Sequence, residues 1–231
     1  MLWGLLALGF APALLWLIYF YRKDRLEPEP ARLVVRCFSF GMLATVPALL
    51  LEMPFGSAAA ALLAAPVVEE LVKYLAVRLS VYSRPEFNEP MDGIVYAAAT
   101  ALGFAFLENV TYFHRALEGE GTLTAVFLLR SFLSTPGHVL WSGVWGLALG
   151  FAKMAGDGPG SAPVRRALAG AMGLHALFNL ICLSFGVLGY VFGLFGLILV
   201  MIHLWRRMRW RIREAADASP FRMPPEDGSG P

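Results

Sequence analysis

No charged residue interrupts the chain between Leu2 and Phe20, and apolar runs of similar length recur almost to its C-terminal end. A helix that spans a membrane needs about 20 consecutive apolar residues. Such runs dominate the sequence of 231 residues, of which 58% are hydrophobic and 16% charged. Soluble domains carry about 25% charged residues. The fold class read from this pattern is all-α, a polytopic transmembrane helical bundle. It forms a single integral membrane domain over residues 1–215, with a catalytic core at about 57–183. The Pro-, Gly- and acid-rich tail, 216–231, is expected to be disordered and cytoplasmic.

About seven spans are expected: Leu2–Phe20, Leu33–Leu51, Ser57–Tyr82, Asp92–Phe113, one after Pro136, Val164–Leu183 and Val187–Trp205. A short broken or re-entrant helix before Pro136 precedes the fifth, because Leu123 to Met154 is longer than one span requires. Glu27-Pro28-Glu29-Pro30 and Arg84 to Pro90 read as loops. Basic residues set the orientation. Arg22, Lys23 and Arg25 follow the first run, and no basic segment precedes it, which argues against a cleaved signal. Arg78 and Arg84, then Lys153, Arg165 and Arg166, and finally Arg206 to Arg213 fall on the same side. The N-terminus is therefore expected outside the cytoplasm and the C-terminus inside. Cys37 and Cys182 lie in apolar runs without metal-ligand spacing and read as packing residues. The net charge of +2 is uninformative as a total; the expected surroundings are the lipid bilayer, with no nucleic-acid partner.

Within these spans the charges are few and placed at depth. Glu69, Glu70 and Lys73 stand in the middle of the third. Each such residue at the centre of a membrane helix costs about 2.5–3.5 kcal/mol on insertion scales, so they serve something other than folding. Pro66, one turn earlier, loosens the helix and frees a carbonyl. Glu108 and Asn109 lie toward the end of the fourth span and His138 at the start of the fifth. His175 and Asn179, four residues apart, share one face of the sixth. Arg130 is a further contributor.

Elements of four helices can thus converge on one polar cavity. Glu69 reaches Lys73 at i+4 and Glu70 reaches it at i+3. One carboxylate is held ionised by the ammonium, and the other, beside a like charge, is the one able to trade protons near neutral pH. Water held by that carboxylate becomes a nucleophile, and a nearby His or Asn stabilises an oxyanion. Plainer roles suit other positions. Asp92 reads as a helix N-cap, Phe104 and Phe106 as packing, His114 as interfacial, and Gly103 and Gly146 as points of close helix approach.

Five motifs, E-E-L-V-K (Glu69 to Lys73), D-G-I-V-Y (Asp92 to Tyr96), G-F-A-F-L-E-N (Gly103 to Asn109), P-G-H ending at His138 and H-A-L-F-N (His175 to Asn179), occur in that order. Together they resemble the PrsW family of intramembrane proteases, related to the CAAX-protease and bacteriocin-processing group. The resemblance covers Pro66 to Asn179. It implies a multi-spanning protease that cuts a membrane-anchored, single-span protein, an anti-sigma factor in the best-known members, in stress signalling. The family's glutamate pair maps onto Glu69 and Glu70, its second glutamate motif onto Glu108, and its histidines onto His138 and His175.

Two catalytic types remain open. A glutamic-type mechanism without cofactor uses Glu69 or Glu70 as base, Lys73 to set protonation, His175 and Asn179 for the oxyanion, and Glu108 and His138 for the leaving amine. It is the favoured reading. A metal-dependent one, with a divalent ion such as zinc, takes Glu70, Glu108, His138 and His175 as ligands and Glu69 as base. A different class of function, a proton-coupled transporter, would use the same acids as a relay, but the hydrophobic pattern holds no internal repeat. A non-catalytic scaffold would tolerate Glu-to-Gln changes.

Overall fold

The computed structural model describes residues 1–184 and 189–222. The described residues form seven long helices. They are α1 (Leu2–Tyr21), α2 (Ala31–Glu52), α3 (Ser57 to Ser80), α4 (Pro90–Leu117), α5 (Leu123–Met154), α6 (Ala162–Leu183) and α7 (Tyr190–Asp217). No strand occurs among the described residues. Residues 187 and 188 of the expected last span, and 223–231 of the expected disordered tail, lie outside the described residues. α7 continues well past Trp205, to Asp217.

Six of these helices are long and apolar enough to cross a membrane, one fewer than expected. The exception is α3, which carries Glu69, Glu70, Lys73 and Arg78. Its length is no obstacle: at 1.5 Å per residue, Ser57 to Ser80 measures about 36 Å against a hydrocarbon core of about 30 Å.

The piece before Pro136 does not fold back. α5 runs straight through, and its irregularity is a π turn over Arg130–Ser134. α3 holds the same device, a π turn over Ala60–Ala64 two residues before Pro66. Proline has no N–H, and its ring collides with the carbonyl four residues earlier. That carbonyl belongs to Leu62 in one helix and Phe132 in the other, the middle of each π turn. The wider turn absorbs the collision without ending the helix. Each proline is followed within four residues by the groups of the polar centre, Glu69 and Glu70 on α3 and His138 on α5.

α4 is the central post, packed against α1, α2, α5 and α7. Its residues from Ile94 to Leu102 are almost wholly inaccessible. It starts in a capping box in which Glu89 is the N-cap, Pro90 is N1 and Asp92 is N3. Asp92 is therefore the reciprocal partner of the cap, not the cap itself, because the proline takes the first helical position. Gly93 and Gly146 bring the backbones of α4 and α5 together: a Cβ on Gly93 would lie 2.0 Å from the Gly146 carbonyl oxygen. Gly103 does the same against α2, where a Cβ would lie 1.9 Å from the Phe38 carbonyl oxygen. The close approach expected at Gly103 and Gly146 is thus present, and it draws α2, α4 and α5 together.

Candidate active site

α3 presents Glu69, Glu70 and Lys73 to the interior because i, i+3 and i+4 fall on one helical face. All three are buried, Glu70 and Lys73 completely. Lys73 Nζ donates to Glu70 Oε1 at 2.8 Å and to Glu69 Oε2 at 3.2 Å. Its third partner is Nδ1 of His138, at 2.9 Å. An ammonium has only protons to offer, so His138 Nδ1 accepts and the ring proton sits on Nε2. That nitrogen is 2.8 Å from Glu108 Oε2. Phe104, expected only to pack, lies beneath the ammonium, with its ring centroid 4.4 Å from Lys73 Nζ.

The two glutamates are not equivalent. Glu70 is saturated: besides Lys73, its Oε2 accepts Ser142 Oγ at 2.7 Å and Trp145 Nε1 at 3.0 Å. Among the described residues Lys73 is the nearest partner of Glu69, which lines the cavity. His175 stands between them, its Nδ1 3.5 Å from Glu70 Oε1 and its Nε2 4.0 Å from Glu69 Oε2. Trp141 stacks on the His175 ring at 4.7 Å and 20° and holds its plane.

Around Glu108 a second set of bonds forms. Arg130 Nη2 is 2.9 Å from Glu108 Oε2, and its Nε donates to Asn109 Oδ1 at 2.6 Å. Asn109 Nδ2 in turn donates to Thr135 Oγ1 at 3.0 Å. The cavity these groups face has a volume of about 810 Å³. It is lined by Glu69, Glu108, Arg130, His138, His175 and Asn179, with Glu52, Tyr112, Trp141 and Cys182 among its walls.

The expected residues therefore fall into three groups. Glu69, Glu70, Lys73, Glu108, His138 and His175 meet in one cluster. Asn109 is one bond removed, held by Arg130, while Asn179 lines the cavity. His114 is half exposed at the end of α4, 3.6 Å from Glu118. Ser142, Trp145, Trp141 and Thr135 were not singled out by sequence. Ser142 and Trp145 stand four and seven residues after His138, so helical spacing alone puts them on its face.

One donor set suits a metal. Glu69, Glu108 and His138 each place a ligand atom within 4.8 Å of the others. Glu108 Oε2 is buried and makes no well-aligned hydrogen bond, although His138 and Arg130 adjoin it. The set contains Glu69 and not Glu70, whose oxygens are committed to Lys73, Ser142 and Trp145.

A family model described as PrsW family intramembrane metalloprotease matches residues 29–205. Protease PrsW of Geobacillus kaustophilus is 35% identical, covering 97% of this chain and 98% of the relative. Protease PrsW of Bacillus subtilis is 33% identical over 68% of this chain and 72% of the relative, and that of Clostridioides difficile is 29% identical over 66% and 68%. No solved structure matches the chain. With a family match spanning most of the sequence and a relative aligned over nearly its full length, this polytopic helical membrane protein belongs to the PrsW family of intramembrane proteases.

Proposed function

We propose that the cavity receives a segment of a membrane-anchored, single-span protein and that the polar cluster hydrolyses one of its peptide bonds. The observation that carries this reading is the inequality of the two glutamates. Glu70 is fixed by three donors, while Glu69 faces the cavity with Lys73 as its nearest partner. Glu69 is then the group free to take a proton from water as the oxygen attacks the scissile carbonyl. His175 and Asn179, on one face of α6, border the place where the oxyanion forms. His138, carrying its proton on Nε2 beside Glu108, supplies a proton to the departing amine. Lys73 holds the carboxylates charged and the imidazole in the required tautomer, and is a positioning residue.

The close approach of Glu69, Glu108 and His138 favours a second reading in which these three hold a divalent metal, as the family description implies. A metal there would polarise the carbonyl and activate water. Metal content of protein purified without chelator, followed by stripping and add-back, separates the two.

All seven helices, α3 included, cross the bilayer in this account, with the N-terminus extracytoplasmic and the basic C-terminus cytoplasmic. An anti-sigma factor is the substrate class that the family resemblance suggests. Comparative membrane proteomics of a wild-type strain against a Glu69→Gln strain tests this: a single-span protein should accumulate uncut in the variant. An unchanged set of membrane proteins would refute the proposal.

A further inference from the structure

A second group of acids lies at the end of the bundle where α1 finishes and α4 begins. Asp24 and Glu29 come from the α1–α2 connection, Glu89 is the N-cap of α4, and Asp92 is two residues inside the helix. None is more than 4% exposed. Carboxylate oxygens of Asp24, Glu89 and Asp92 lie within 4.8 Å of one another.

Each acid is tied into the fold, Glu89 twice over, because its side chain also accepts the Asp92 N–H in the capping box. Asp24 Oδ2 accepts the Glu29 N–H at 3.1 Å, and Asp92 Oδ2 accepts those of Asn88 and Glu89 at 2.6 and 2.8 Å. Glu29 Oε2 accepts the Tyr96 hydroxyl, and Glu89 Oε2 accepts that of Ser219. The second oxygens of Asp24, Glu29 and Asp92 are buried with no hydrogen-bond donor among the described residues. Among the described residues no Lys, Arg or His forms an ion pair with any of the four. Lys153, the nearby cation, spends its ammonium on the carbonyls of Tyr82 and Arg84.

We propose that this cluster binds a hard divalent cation of the calcium or magnesium class, which ties the α1–α2 connection and the segment after α7 to the start of α4. All its donors are oxygens, the ligand type of such ions, whereas the catalytic group mixes carboxylate with imidazole. Opposite oxygens around calcium are about 4.6–5.2 Å apart and around magnesium about 4.0–4.2 Å, so the spread of the three acids fits one ion. Glu29 adds a fourth carboxylate beside them. The ion fixes the first turn of the helix whose far end carries Glu108 and Asn109.

The test uses the full chain in lipid nanodiscs, stripped with chelator and titrated separately with calcium chloride and magnesium chloride at pH 8. The readout is the thermal unfolding midpoint. One of the two salts should raise it by about 5 °C. Asp24→Asn/Glu89→Gln should abolish that rise, while Glu69→Gln/His138→Ala should retain it. Should the acid variant be poorly folded, Glu29→Gln, which keeps the Tyr96 bond, is expected to weaken the response at least 10-fold in half-maximal concentration. No rise with either salt, or a rise surviving in the Asp24→Asn/Glu89→Gln protein, overturns the proposal. Loss of the rise in the Glu69→Gln/His138→Ala protein overturns it as well, by placing the ion in the catalytic cluster.

Discussion

Lys73 Nζ stands 2.9 Å from Nδ1 of His138, a partner 65 residues away on another helix. One ammonium thereby joins both glutamates of α3 to the imidazole of α5. Removing it leaves carboxylates buried without a counter-charge, which costs about 3–5 kcal/mol. Lys73→Met should therefore unfold at a markedly lower temperature and lose activity. Lys73→Met/Glu70→Gln should regain most of the midpoint but none of the activity, by thermal unfolding and cleavage assays run side by side.

Glu69→Gln and Glu70→Gln should fail differently. The first removes a proton acceptor that faces the cavity and should lower turnover about 10²–10⁴-fold with the unfolding midpoint unchanged. The second places an amide against the Ser142 and Trp145 donors and should lower the midpoint as well. Equal loss of stability in both would contradict the division of labour.

Trp145→Phe keeps the ring but leaves Glu70 Oε2 short of one buried donor, at a cost of about 1–3 kcal/mol. A lowered midpoint in lipid nanodiscs, and the same direction for Ser142→Ala, would check that these residues serve by holding Glu70.

Gly103→Val should prevent assembly of the bundle, because even a Cβ would meet the Phe38 backbone of α2. Gly173→Ala on α6, where a Cβ meets nothing within 4 Å, is the control and should leave expression and folding unchanged.

The acids of α3 were legible in the sequence because a charge inside an apolar run is costly and must be explained. His138, His175 and Glu108 followed from the same argument. Ser142 and Trp145 were not, since serine and tryptophan occur in membrane helices for many reasons, and only the position of Glu70 shows their purpose. Pro136 was read as a break. The backbone instead widens for one turn and continues. The Glu27–Pro30 and Arg84–Pro90 stretches read as loops because they are polar and rich in proline, and nothing in that pattern signals burial. Asp24, Glu29 and Glu89 are nevertheless buried, since the two connections close over each other and over Ser219.

The most direct test of the central claim is cleavage of a single-span reporter protein by the purified enzyme in lipid nanodiscs, wild type against Glu69→Gln. The account predicts a discrete cut by the wild type and a loss of at least about 100-fold in the folded variant. Cleavage by Glu69→Gln at the wild-type rate would contradict it.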